Sequence, residues 1–122
     1  MEKYMDVMKQ TVELSETMSE ALEHIKIRVN EGNIESTIQL VDDTMIAFST
    51  IVKSMQRFLY KLPPNQIEEH TDMLVKGFQV LTTAYEQGQS GKILEVLQFT
   101  ILPAYKKWSS ELEKHLQSYI VS

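Results

Sequence analysis

The feature that most constrains this chain is a row of apolar side chains from Ile34 to Leu62. Ile34, Ile38, Val41, Met45, Phe48, Val52, Met55, Leu59 and Leu62 recur in alternating steps of four and three residues. An α-helix gathers that spacing on one face, whereas a strand would scatter it over both. A second line, Leu40, Ala47, Ile51 and Phe58, runs down one flank. The apolar face is then wider than a two-stranded coiled coil needs, so this helix has to touch two others. Pro63-Pro64 stops it, because proline lacks the N–H and pushes its predecessor out of the helical region.

Three more helices read the same way. From about Lys3 to Asn30, one face carries Tyr4, Val7, Thr11, Leu14, Met18, Ala21, Ile25 and Val29. Gly32 suits the left-handed position after that helix, and Asn33 offers a side-chain oxygen to cap the next. Asn65 with Glu68 has the form of a capping box for a third helix reaching about Gln87. Its face is Ile67, Thr71, Leu74, Phe78, Leu81 and Tyr85, with Gly77 and Ala84 beside it where a neighbouring backbone can come close. Gly88-Gln89-Ser90-Gly91 reads as a turn. A fourth helix, Lys92 to about Tyr119, directs Leu94, Leu97, Ile101, Tyr105, Trp108, Leu112, Leu116 and Tyr119 inward. Pro103 interrupts it at a cost of about 3 kcal/mol, so a kink is expected between Phe99 and Pro103. A break is disfavoured because Leu102 is a poor N-cap.

Short turns joining helices of similar length predict an all-α fold: an antiparallel four-helix bundle, up-down-up-down, with a proline kink in helix 4. At 122 residues this is one domain, residues 1–122, long enough to bury a core unaided. The absence of cysteine excludes disulfides, thiolate catalysis and cysteine-ligated metals. Glu2, Lys3 and Tyr4 follow Met1 with no basic-then-apolar leader, and no window offers the roughly 20 apolar residues of a membrane span. The expected location is cytoplasmic, with no membrane partner. A formal net charge of −5 works against nucleic acid, whose phosphates call for a basic face.

No catalytic constellation emerges. A di-iron bundle places Glu three residues before His, but Ala21, Ile67 and Leu112 stand there before His24, His70 and His115. Glu20 with His24 and Glu111 with His115 have the four-residue spacing of paired side chains on a helix surface. Gly88-Gln89-Ser90-Gly91-Lys92 fails as a phosphate loop, since Glu86 and Ile93 occupy positions that need Gly and Ser or Thr. Glu68, Glu69 and Asp72 belong to a helix's first turn by its dipole, as Lys53, Arg57 and Lys61 belong near a helix end. An acidic stripe, Glu13, Glu16, Glu20 and Glu23, reads as a solvated face or a dock for a basic partner. The expectation is a protein that is not an enzyme and carries no cofactor.

Two surfaces look built for contact. Met1, Met5, Met8 and Val12 form a second apolar line on the first helix, opposite its seam, and methionine-rich surfaces adapt to varied partners. Val96, Phe99 and Leu102 lie off the core line of the fourth helix unless Pro103 re-aims them. Met5, Met8, Val12, Phe99 and Leu102 are therefore the candidate partner-binding residues of a non-catalytic interaction module, acting as an adaptor for a protein partner or as a homo-oligomer. In size, charge and helix count the chain resembles small acidic all-α cytoplasmic chaperones of bacterial export and flagellar systems, which implies a holding role. A bundle binding a small apolar ligand, with Tyr85, Tyr105 and Trp108 lining its pocket, is the other alternative.

Overall fold

The computed structural model describes residues 2–120. Met1, the head of the second apolar line, lies outside the described residues. A 3-10 turn, Glu2–Tyr4, leads into α1 (Met5–Asn30). A second, Glu35–Thr37, leads into α2 (Ile38–Met55), and a third, Leu59–Lys61, precedes α3 (Ile67–Glu86). The last long helix is assembled from α4 (Ser90–Val96), a π-helical turn (Leu97–Ile101) and α5 (Leu102–Ile120) in unbroken succession. The chain is all-helical with four long helices, and no strand occurs among the described residues.

Two of the turns are fixed by glycine. Gly32 and Gly88 have φ of 85° and 65°, where a Cβ would be strained. Each closes a helix with paired bonds: Asn33 N–H to Arg28 O at 2.9 Å with Gly32 N–H to Val29 O at 3.0 Å, and Gln89 N–H to Ala84 O with Gly88 N–H to Tyr85 O, both 3.1 Å. The caps differ from expectation. Asn33 gives only its backbone carbonyl, which accepts from the Ser36 hydroxyl at 2.9 Å, because α2 is entered through a 3-10 turn. Asn65 Oδ1 accepts the N–H of Ile67 at 2.9 Å rather than that of Glu68, and the Gln66 N–H reaches Glu111 Oε1 at 3.3 Å. α2 also stops at Met55, seven residues short of Leu62. Pro63 holds Leu62 extended, and the chain before it tightens into bonds such as Phe58 N–H to Met55 O at 3.0 Å.

Both early helices are rolled relative to the rows read from sequence. In α1 the buried side chains are Met8, Thr11, Ser15, Met18, Leu22, Ile25 and Val29. This row shares Thr11, Met18, Ile25 and Val29 with the expected one, but replaces Val7, Leu14 and Ala21. It puts Leu22 inside instead of the smaller Ala21, and Ser15 is tolerated because its hydroxyl donates to Val12 O at 2.7 Å. In α2 the buried row falls between the two lines: Val41, Phe48 and Met55 of the seam are buried with Thr44 and with Ile51 of the flank, while Met45 and Val52 of the seam and Leu40 and Ala47 of the flank are half-buried and Ile38 is exposed.

The buried apolar residues of all four long helices form one cluster. Trp108 is central, its ring centroid 5.3 Å from Phe48 and 5.4 Å from Tyr105, with Phe48 a further 5.5 Å from Phe78. Its indole N–H donates to Thr71 Oγ1 at 2.9 Å, and the Tyr105 hydroxyl donates to the Ser15 carbonyl. Among the described residues no buried side-chain nitrogen or oxygen lacks a partner. Pro103 is accommodated by the π turn, in which the Leu102 N–H bonds to Leu97 O five residues back. The helix thus passes the missing donor without a break. Val96 is buried, contrary to the expectation that it lies off the core line.

Candidate functional site

The long helices do not embrace one another equally. α1 packs broadly on α2 and α5, and α3 on α4 and α5, but α2 and α3 touch only sparsely. The roll of α2 leaves a trough between them of about 520 Å³. Met45, Phe48, Ser49 and Val52 form one wall; Val75, Phe78, Gln79, Thr82 and Thr83 form the other. Phe48 and Phe78, both buried, make the floor.

The two threonines of the α3 wall bond back onto their own helix. Thr82 and Thr83 donate to Phe78 O and Gln79 O at 2.9 and 3.1 Å, and Thr82 also lies 3.7 Å from Met45 Sδ. With the hydroxyls occupied, their methyl groups remain to line the trough. No lining side chain is titratable, so the trough is equipped for apolar contact and not for proton transfer. On its α3 wall Val75 exposes 42% of its surface. Monomers seldom leave a large apolar hollow open.

One end of the trough is acidic. The Thr37 hydroxyl meets the Tyr85 hydroxyl at 2.7 Å, bringing the start of α2 to the end of α3. Asp42, one turn before Met45, and Glu86, one turn after Thr82, therefore border the same end, and both are exposed. Ion pairs among the described residues are Lys92 with Glu95 at 3.8 Å and Glu111 with His115 at 2.8 Å, so neither Asp42 nor Glu86 has a cationic partner there.

The residues nominated from sequence are distributed differently. Met8 is 0% exposed, a core residue of α1, and is thereby corrected: it has no surface to offer a partner. Met5 and Val12 are half-buried, and Val12 shares a small hollow with Glu16, Glu113, Gln117 and Ile120. Phe99 is 74% exposed on the π turn, while Leu102 is half-buried against the core. These positions form no common site. Tyr105 and Trp108, nominated for a ligand pocket, are buried and committed to Ser15 and Thr71, and Tyr85 is bonded to Thr37. Sequence reading missed the trough because it assigned Met45 and Val52 to the core and gave Val75 no role. The available signal was Val75 itself, together with Met73 and Val80, standing outside the row of the third helix.

Other polar clusters are structural. Glu111 joins His115 and the Gln66 N–H; although burial pushes its carboxyl up, the hydrogen bonds from His115 and Gln66 and the nearby His115 and Lys114 charges hold it below the usual carboxylate value. His24 accepts from Arg28 Nε at 3.2 Å instead of pairing with Glu20. No group of three or more metal-ligating side chains occurs among the described residues, and no helix there is long and apolar enough to cross a membrane.

No curated protein and no solved structure matches the chain. A family model described as Domain of unknown function (DUF8042) matches residues 6–111, a span from α1 into α5 that includes the whole trough, and the chain belongs to that family.

Proposed function

We propose that this chain is a non-catalytic protein-interaction module whose α2/α3 trough receives an amphipathic helix from a partner protein, with basic residues at the end that meets Asp42 and Glu86. The observation that carries this reading is an apolar trough with one unpaired acidic end. A helix laid there would pack on α2 and α3 much as the fourth long helix packs on the other side of α3. A partner adding a strand needs an open sheet edge, and no strand occurs among the described residues. A polyproline partner needs exposed aromatic ridges, whereas Phe48 and Phe78 are buried. Half-buried Met45 supplies a side chain that adapts to its occupant.

The same reading takes the protein as one domain, cytoplasmic, and as an antiparallel up-down-up-down bundle bent at Pro103. Supporting the topology, paired positions run in opposite order along neighbours: Thr37 with Tyr85 and Met45 with Thr82, then Thr71 with Trp108 and Gln66 with Glu111.

The test uses fluorescence anisotropy with labelled amphipathic peptides of about five helical turns, identical except for Lys/Arg or Glu at one end. The basic-ended peptide is expected to bind saturably and the acidic-ended one at least roughly tenfold more weakly, by the reasoning that like charges oppose docking. Val75→Glu should abolish binding while shifting stability by no more than about 0.5 kcal/mol, as for an exposed position. Binding indifferent to Val75→Glu would overturn the reading. So would a solution mass showing a second copy in the trough, or an apolar small molecule that occupies it while peptides do not.

A further inference from the structure

A second concave site lies where the chain enters α1 and leaves α2. In a protein of net charge −5, three cations converge there. The ammonium groups of Lys61 and Lys3 lie 4.9 and 5.2 Å from the centroid of the same Tyr4 ring, and Lys61 lies 5.8 Å from the Tyr60 ring. Beside them is a hollow of about 470 Å³, lined by Lys3, Tyr4, Gln10, Ser54 and Arg57, with Asp6 its one carboxylate. Lys3, Arg57 and Lys61 belong to no ion pair among the described residues.

Helix electrostatics explains only part of this. Cations beyond the end of α2 offset the negative end of its dipole, but Lys3 stands at the start of α1, where the dipole repels positive charge. Two ammonium groups drawn to one ring also repel each other. An anion bound in the hollow beside Lys3 would relieve both conflicts. The field registers on Tyr4: desolvation raises its phenol, yet the Lys3 and Lys61 charges and hydrogen bonding by Tyr60 and Lys3 leave it below the ordinary phenol value.

We propose that this hollow binds the phosphate group of a small phosphorylated molecule. A phosphate carries close to two charges and three strong acceptor oxygens, against two lining cations, Lys3 and Arg57, a third, Lys61, over the Tyr4 ring of the lining, and one opposing carboxylate. The Arg57 guanidinium offers a planar fork suited to two of those oxygens, and the Ser54 hydroxyl and Gln10 amide supply neutral donors from the lining. A free phosphate ester and a lipid headgroup share this chemistry, and the experiment separates them.

One arm titrates the protein with inorganic pyrophosphate at fixed ionic strength, followed by amide NMR. The other measures co-sedimentation with phosphatidylcholine vesicles carrying phosphatidic acid. Saturable binding in solution, with shifts centred on Gln10, Ser54 and Arg57, supports the site and assigns it to a soluble phosphate compound. Binding to vesicles alone supports it and assigns a headgroup. The double variant Lys3→Ala/Arg57→Ala, which takes both cations from the lining, is expected to weaken binding about tenfold or more, since it removes two charge-assisted contacts. Lys106→Ala/Lys107→Ala, with the same loss of charge elsewhere, should stay within about twofold, as expected where no direct contact is lost. Absence of saturable binding in both arms, or equal weakening by the two double variants, would overturn the proposal.

Discussion

Met8 and Met5 should respond very differently to truncation. Both stand on the methionine line of the first helix, but Met8 is sealed in the core and Met5 is half-buried. Periodicity identifies a helix and its oily sectors; it does not decide which of two adjacent rows faces inward, because they differ by one residue's rotation of about 100°. The consequence is measurable. Met8→Ala should cost about 2–5 kcal/mol in urea unfolding, the range for emptying a core position, and Met5→Ala much less. Tyr105 gives a second residue-level expectation. Burial, reinforced by the Glu113 carboxylate, pushes its phenol well above the ordinary value of 10.0. A raised phenol means that the native state keeps its proton while the unfolded chain ionises. The contribution to stability is therefore intact below pH 10.0 and declines as pH rises beyond it. The urea midpoint should fall above that pH, and Tyr105→Phe should flatten the fall.

At the scale of elements, starts and stops were legible wherever backbone geometry dictated them. Gly32 and Gly88 end α1 and α3 where their sequence positions indicate, and Pro63 ends the helical run before it. Less legible was the response of a helix to strain. The chain meets Pro63 by unwinding seven residues early, and meets Pro103 by widening one turn. Both choices depend on what lies across the core, which local sequence does not contain. Gly77 is a point of close approach, but to side chains and not to the neighbouring backbone expected there: a Cβ would come within 3.0 Å of Ile101 Cδ1 and 3.4 Å of Thr100 Cγ2 on the π turn. Gly77→Ala asks only a flexible side-chain end to shift. Gly77→Leu should lose about 1–3 kcal/mol by overpacking, visible as a lower urea midpoint with unchanged helical circular dichroism at low denaturant.

At the scale of the whole molecule, the helical class and the count of long helices were readable, since the apolar rows of all four survive in the structure even where they rotate. The trough was not. It arises from a difference between contacts, α2 held closely by α1 and loosely by α3, and no row of residues encodes that difference. The surfaces nominated in its place, Met5 and Val12 on α1 with Phe99 and Leu102 on the fourth long helix, are not gathered into one site, whereas Met45, Val52 and Val75 are. The most direct measurement is an amide NMR map of the protein titrated with a basic-ended amphipathic helix. The account predicts shifts concentrated in residues 38–53 and 72–86, strongest around Met45, Ser49, Val75 and Gln79. Shifts centred instead on Met5, Val12 and Phe99, with the α2 and α3 walls silent, would contradict it.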